Sequence, residues 1–210
     1  MKPVALILAM VLTLGGVIGG TIAWLIAASD PVVNTFTYGD INIKLEESDT
    51  GLDDDRNPNT NDYKMLPGVE IEKDPTITVS AGSEKNWLFV KLEKSSNFDD
   101  FMTYTLSGGW QLLNGTENVY FRRVEADDDD QVFEIINDNT VTVKESVTKQ
   151  MLNALDPEDG DATYPTLTVS AYAVQYAGFE PGAEDPIDEQ IQAAVSKAWS
   201  KVLDSESTEP

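Results

Sequence analysis

The sequence contains no cysteine and no histidine in its 210 residues. Without cysteine there is no disulfide, no thiol nucleophile, no thiolate metal site and no iron–sulfur cluster. Without histidine there is no Ser-His-Asp triad and no H-E-x-x-H zinc site. Basic residues are also scarce. Lys and Arg total 14 against 37 Asp and Glu, for a formal net charge of −23. Such a surface repels nucleic-acid phosphates and anionic lipid head groups, so nucleic acid is not an expected partner. It attracts divalent cations or basic partners, and it also suits a saline habitat. Any catalysis would rest on carboxylates, Lys, Tyr, Ser or a bound hard cation. What the chain does have is apolar material: 41% hydrophobic and 9% aromatic residues support a core.

The N-terminus carries one positive charge, Lys2, and then no charge from Val4 to Ala28. That run is longer than the ordinary apolar core of a secretory signal and long enough to span a bilayer. Two readings compete, a cleaved signal and a retained anchor. Small residues at −3 and −1 mark cleavage sites, and Thr21-Ile22-Ala23 fits that rule better than Ile26-Ala27-Ala28. The expectation is a signal peptide over residues 1–23 with cleavage after Ala23. Gly15, Gly16, Gly19 and Gly20 form overlapping G-x-x-x-G patterns, read here as a helix-breaking end to the signal rather than a helix-dimer face.

Most of the remainder reads as short strands between turn signals. Phe36 to Leu45 alternates, Pro67-Gly68 is a turn, and Pro75 starts "PTITVSA". "NWLFVKLE" (Asn86–Glu93) is apolar enough to be buried on much of both faces. "FMTYTL", "NVYFRRV", "VFEII" and "TVTVKE" follow with the rhythm of a sandwich or barrel. Ser146 to Leu155 is expected to form a short helix with Met151, Leu152 and Leu155 inward. Leu167 to Tyr176 reads as one long strand, with Val169, Ala171, Ala173 and Gln175 on one face and Thr168, Ser170, Tyr172, Val174 and Tyr176 on the other. Near the C-terminus, Asp185-Pro186 suits a helix start. Ile187, Ile191, Ala194, Val195, Ala198, Trp199 and Val202 then recur at helical spacing. Such a stripe packs on the sandwich or docks a partner, and core packing is the commoner use.

The segments "GGTIAWL", "VVNTFTYGDINIKLEE", "YKMLPGVEIEKDPTITV", "NWLFVKLE" and "PTLTVSAYAVQYAGF" occur here in that order, from Gly19 to Phe179. In this the chain resembles the TasA/camelysin family of bacterial and archaeal cell-surface proteins, whose best-known member is the fibre protein of a biofilm matrix. The resemblance implies a dedicated signal peptidase cutting after Ala23. It also implies a jelly-roll-like antiparallel β-sandwich, with short helices and a C-terminal amphipathic helix beyond the matched region. The expected organisation is a signal at 1–23, a donor-strand segment at 24–38, a β-sandwich at 39–180, and a C-terminal helix and tail at 181–210. The chain would be a secreted structural subunit of extracellular or cell-surface fibres. Its partners would be copies of itself and minor fibre subunits, and it would meet membrane only through the signal before cleavage.

The resemblance further implies that the N-terminal segment of one subunit completes a sheet of the next. The donors would be Trp24, Leu25, Ile26, Val32, Val33 and Phe36. An exposed sheet edge offers unpaired N–H and C=O groups to such a segment. Burying about four large side chains gives roughly 6–12 kcal/mol. Ordering about eight residues costs roughly 8–16 kcal/mol. Side chains alone do not hold the tail, so ladder hydrogen bonds and a preformed groove must tip the balance. The alternatives are a membrane-anchored monomeric binding module using loop Asp49–Asp62, and a camelysin-like hydrolase.

Enzymatic candidates are thin. Asp49-Thr50-Gly51 matches an aspartic-protease triplet, but its context is polar and it has no second copy. Asp53, Asp54 and Asp55 are candidate calcium ligands that lack EF-hand spacing, and Asp127 to Asp130 is a similar acidic run. Both read as solvated loops. Camelysins are described as metallopeptidases, but without histidine the usual zinc ligand sets cannot be built here. The expectation is therefore no enzyme, no catalytic residue, no cofactor and no resident metal.

Overall fold

Short apolar segments separated by turns become ten antiparallel strands and three helices among the described residues, which are 40–48, 65–155, 164–182 and 187–207 of a computed structural model. All belong to the unit Gly39–Pro210. In chain order the elements are β1 (Ile43–Glu46), β2 (Glu70–Glu72), β3 (Thr76–Val79), β4 (Asn86–Lys94), α1 (Phe98–Phe101) and β5 (Met102–Leu106). There follow β6 (Gln111–Leu112), β7 (Val119–Val124), β8 (Gln131–Glu134), β9 (Ile136–Val143), α2 (Lys149–Asn153), β10 (Leu167–Gln175) and α3 (Ile187–Glu206). They form sheets ordered β1-β3-β8, β10-β4-β7-β6 and β2-β9-β5. The chain is thus mainly antiparallel β with few helices, consistent with a β-sandwich.

The β4 strand shows why its sequence contains the unbroken apolar run Trp87–Val90. Its Leu88, Val90 and Leu92 face a core shared with Ile77 and Val79 of β3 and Ile136, Val141 and Val143 of β9. Its Trp87 and Phe89 point the other way, to Val195, Ala198, Trp199 and Val202 of α3. Side chains alternate across a strand, so a strand covered on both faces must be apolar at every position. The four-stranded sheet is therefore a middle layer. The two three-stranded sheets cover one face of it, and α3 covers the other.

Two expected strands are corrected. "VFEII" is not one strand: β8 ends at Glu134, and β9 begins at Ile136. Between them Ile135 is fully buried, donates its N–H to Pro75 O and accepts from Ser107 N. There the chain leaves the sheet of β3 and enters the sheet of β2 and β5, so the apolar run marks a corner between sheets. Likewise Phe101 does not open a strand but ends α1, where Phe98 and Phe101 are both buried. Their three-residue separation suits one helical turn with both rings on the core side. The Pro67-Gly68 pair forms a turn, with Gly68 at φ +76°.

Candidate functional site

The strand that stands out is β10, "LTVSAYAVQ". It pairs with β4 over its whole length, from Leu167 opposite Lys94 to Gln175 opposite Asn86. On its other side no strand pairs with it among the described residues. The hydrogen-bond phase follows from the ends of the ladder. Tyr176 N donates to Lys85 O at 2.9 Å, and Ser95 N donates to Thr166 O at 3.0 Å. In an antiparallel pair the bonded positions alternate. The even-numbered residues Thr168, Ser170, Tyr172 and Val174 thus bond to β4. The odd-numbered Leu167, Val169, Ala171, Ala173 and Gln175 aim their N–H and C=O groups out of the sheet.

This edge lacks the protections a strand carries in its own residues, although β1 lies close to β10 and Ile41 just before it lines the same side. Natural sheet edges are blunted with charge, proline, bulges or short length. Nine residues of β10 carry none of these, and the register to β4 is unbroken. Other sheet edges are shorter: β1 and β8 have four residues, β2 three, β6 two and β5 five. Both faces of β10 carry apolar side chains, with Thr168 and Ser170 interspersed on one and Gln175 ending the other. Leu167, Val169, Ala171 and Ala173 pack on the main core, whereas Tyr172 and Val174 pack toward α3. The positions from Val169 to Val174 are nevertheless only half-buried, and no strand among the described residues pairs along their outer side.

A groove runs beside the C-terminal half of β10, lined by Ile41, Tyr172, Ala173, Gln175, Lys201 and Ser205 among others. Its floor is rigid because α3 is fixed to the sheet. Trp199 meets Phe89 at 5.2 Å and Tyr172 at 5.4 Å between ring centroids. Gln192 accepts from Asn114 N at 2.9 Å and donates to Leu112 O at 3.1 Å, clamping the helix to the β6–β7 turn. Trp87 donates from Nε1 to Phe179 O at 3.0 Å, which holds the chain leaving β10. At the Gln175 end, Asn86 is fully buried, and its Oδ1 has no hydrogen-bond partner.

The sequence-derived donor residues Trp24, Leu25, Ile26, Val32, Val33 and Phe36 lie outside the described residues, as do the signal segment, its Ala23 cleavage point and loop Asp49–Asp62. The calcium candidates Asp53, Asp54 and Asp55 lie there too. Within the described residues, Asp127–Asp130 forms the exposed β7–β8 loop, where Ala81 N donates to Asp130 Oδ1 at 2.7 Å. No group of three or more acids arranged to hold a metal occurs among the described residues. No helix of the described residues is long and apolar enough to cross a membrane. The open β10 edge was missed by reading side chains alone. The signal available was a long strand pattern free of charge and proline, in a chain where acids are abundant.

Comparison with family models, with curated proteins and with solved structures finds no match.

Proposed function

We propose that this chain is an exported structural subunit that polymerises head-to-tail by donor-strand complementation into extracellular or cell-surface fibres, and that it is not an enzyme. The supporting observation is the β10 edge, which is nine residues long, uncharged, proline-free and without a strand partner among the described residues. The donor is residues 24–38 of a neighbouring copy. Its uncharged, apolar Trp24, Leu25, Ile26, Val32, Val33 and Phe36 suit an edge whose neighbouring groove is partly apolar. Donor and acceptor are different surfaces, so the contact does not close on itself and propagates as a filament.

On this reading the three sheets are arranged as a jelly roll of the TasA/camelysin kind, and minor subunits with the same edge would co-polymerise. The backbone of β10 supplies the ladder bonds that the side-chain balance lacks, at roughly 0.5–1.5 kcal/mol net for each bond made. The α3 helix then belongs to the subunit core and holds the floor of the groove.

The test is electron microscopy of the mature protein beside a variant lacking Trp24 to Phe36, both across a salt series. Fibres from the mature chain and none from the truncation support the proposal. Monomers from both at every salt concentration overturn it and favour an anchored binding module.

A further inference from the structure

A second feature lies on β7, two strands away from β10 in the same sheet. Arg122 shares the interlayer side of β7 with Tyr120 and Val124. Its guanidinium is held between two rings, with Cζ 4.2 Å from the Phe133 centroid and 5.3 Å from that of Trp110. Trp110 is itself fixed, since its Nε1 donates to Glu134 O at 2.9 Å. Gly109, at φ +88°, completes the seat: a Cβ there would lie 3.0 Å from Nη2 and 3.3 Å from Cζ. Only glycine lets the backbone come so close while holding that φ.

The cation in this seat has no counter-charge. Lys44, Lys73, Lys85, Lys91, Lys94, Arg123 and Lys201 each pair with an acid within 4 Å. Arg122 makes no ion pair and no hydrogen bond among the described residues, and its Nε is buried without a partner. Aromatic faces attract a guanidinium, but they leave its in-plane donors unmet. In a chain of 37 acids an internal partner would be easy to supply. Burial also lowers the Arg122 pKa below its ordinary value, which is the mark of an uncompensated charge.

We propose that the Trp110–Arg122–Phe133 clamp is a carboxylate receptor whose ligand is an acidic side chain of a second copy of this chain. Of the guanidinium nitrogens only Nε is sealed from solvent without a partner, so a carboxylate meets the Nη1–Nη2 end of the planar fork with two parallel hydrogen bonds. Acids of other copies are the carboxylates nearest at hand when copies are crowded in a fibre. In the strand order of its sheet Arg122 lies on the far side of β4 from the β10 edge, so this contact is separate from strand donation. It would join filaments side by side, and in that respect it rests on the fibre reading.

The experiment uses the full mature chain carrying Ala171→Pro, a change at the β10 edge intended to block strand donation. The readout is the Arg122 Nε–Hε resonance, with Arg122→Lys and Arg122→Gln for assignment and melting curves to confirm folding. The signal is followed against protein concentration, against sodium acetate and against a polyuronate, each with sodium chloride at matched ionic strength. Saturable shifts with protein concentration and with acetate, and self-association weakened about tenfold in both variants, are expected. Lys keeps the charge but loses the planar fork. Saturation by acetate or polyuronate without any response to protein concentration overturns the second copy as ligand. No saturable shift with any carboxylate overturns the receptor. Fibres formed by the Arg122 variants on the wild-type edge, but failing to bundle, would leave strand donation intact and separate the two proposals.

Discussion

Proline placed along β10 separates the edge that holds the fold from the edge offered to a neighbour. The phase of the ladder gives Ser170 an N–H directed at Lys91 O, and gives Ala171 an N–H directed outward. Ala171→Pro removes no bond to β4, and its ring projects from the open edge, where proline is tolerated. Its cost to folding comes from φ alone and should stay within the ordinary range of about 0.5–3 kcal/mol. For an incoming strand the same change deletes one donor, strands a carbonyl at about 1–3 kcal/mol, and obstructs approach to the ~4.8 Å spacing of a paired strand. At 1.4 kcal/mol per tenfold, the critical concentration for fibres should rise by about ten- to a hundredfold or more. Ser170→Pro does the reverse. It breaks the β10–β4 ladder and drives a ring into β4, and should destabilise the fold by about 3 kcal/mol or more. Thermal melts measure the first quantity, and sedimentation of fibres after a concentration series measures the second. If Ala171→Pro assembles at the wild-type critical concentration, β10 is not the acceptor. If the two prolines unfold the chain equally, the assigned ladder phase is wrong.

Truncating Trp199 to alanine removes a ring that is only 6% exposed and packs on Phe89 and Tyr172, so unfolding free energy should fall by about 3–5 kcal/mol in denaturant titrations. Burial pushes the Tyr104 hydroxyl up to about 12, with the nearby Tyr120 and Asp99 adding to the shift. The neutral form is the one favoured by the fold, so this contribution is intact below about pH 10 and is lost as pH rises toward 12. Tyr104→Phe should flatten that alkaline limb of the melting-temperature profile. At the acid end, burial pushes Asp74 up, but the Ser48 hydroxyl and amide, its own amide and Lys73 together outweigh it and hold the carboxyl below its ordinary value. Its stabilisation is present above about pH 4 and disappears as pH falls through the lowered value, and Ser48→Ala should shrink that loss in acid melts. Fibre formation should rise with ionic strength from low to physiological salt, because a chain of net charge −23 repels its copies. Turbidity unchanged by salt would contradict that account.

Much of the architecture is written in local pattern. The alternation in Leu167–Gln175 separates Val169, Ala171 and Ala173, on the core, from Tyr172 and Val174, toward α3. The continuous run Trp87–Val90 is apolar because both of its faces are covered. The absence of histidine and cysteine removes whole classes of chemistry before any coordinate is considered. These features depend on side-chain period and composition, which a sequence states directly.

Other features depend on which elements become neighbours. The break at Ile135 is invisible in "VFEII", because a corner between sheets needs buried apolar residues just as a strand does. The ion partners show the same limit. Arg122 and Arg123 are adjacent and identical in type, yet Arg123 pairs with Glu125 at 2.9 Å while Arg122 sits between Phe133 and Trp110 without an acid. The open side of β10 is of this kind too. Its own residues determined that the strand is long, uncharged and free of proline. Only the tertiary structure decided that β4 takes one of its edges and that no described strand takes the other, because pairing partners are set by long-range topology and leave no mark in the strand's own residues.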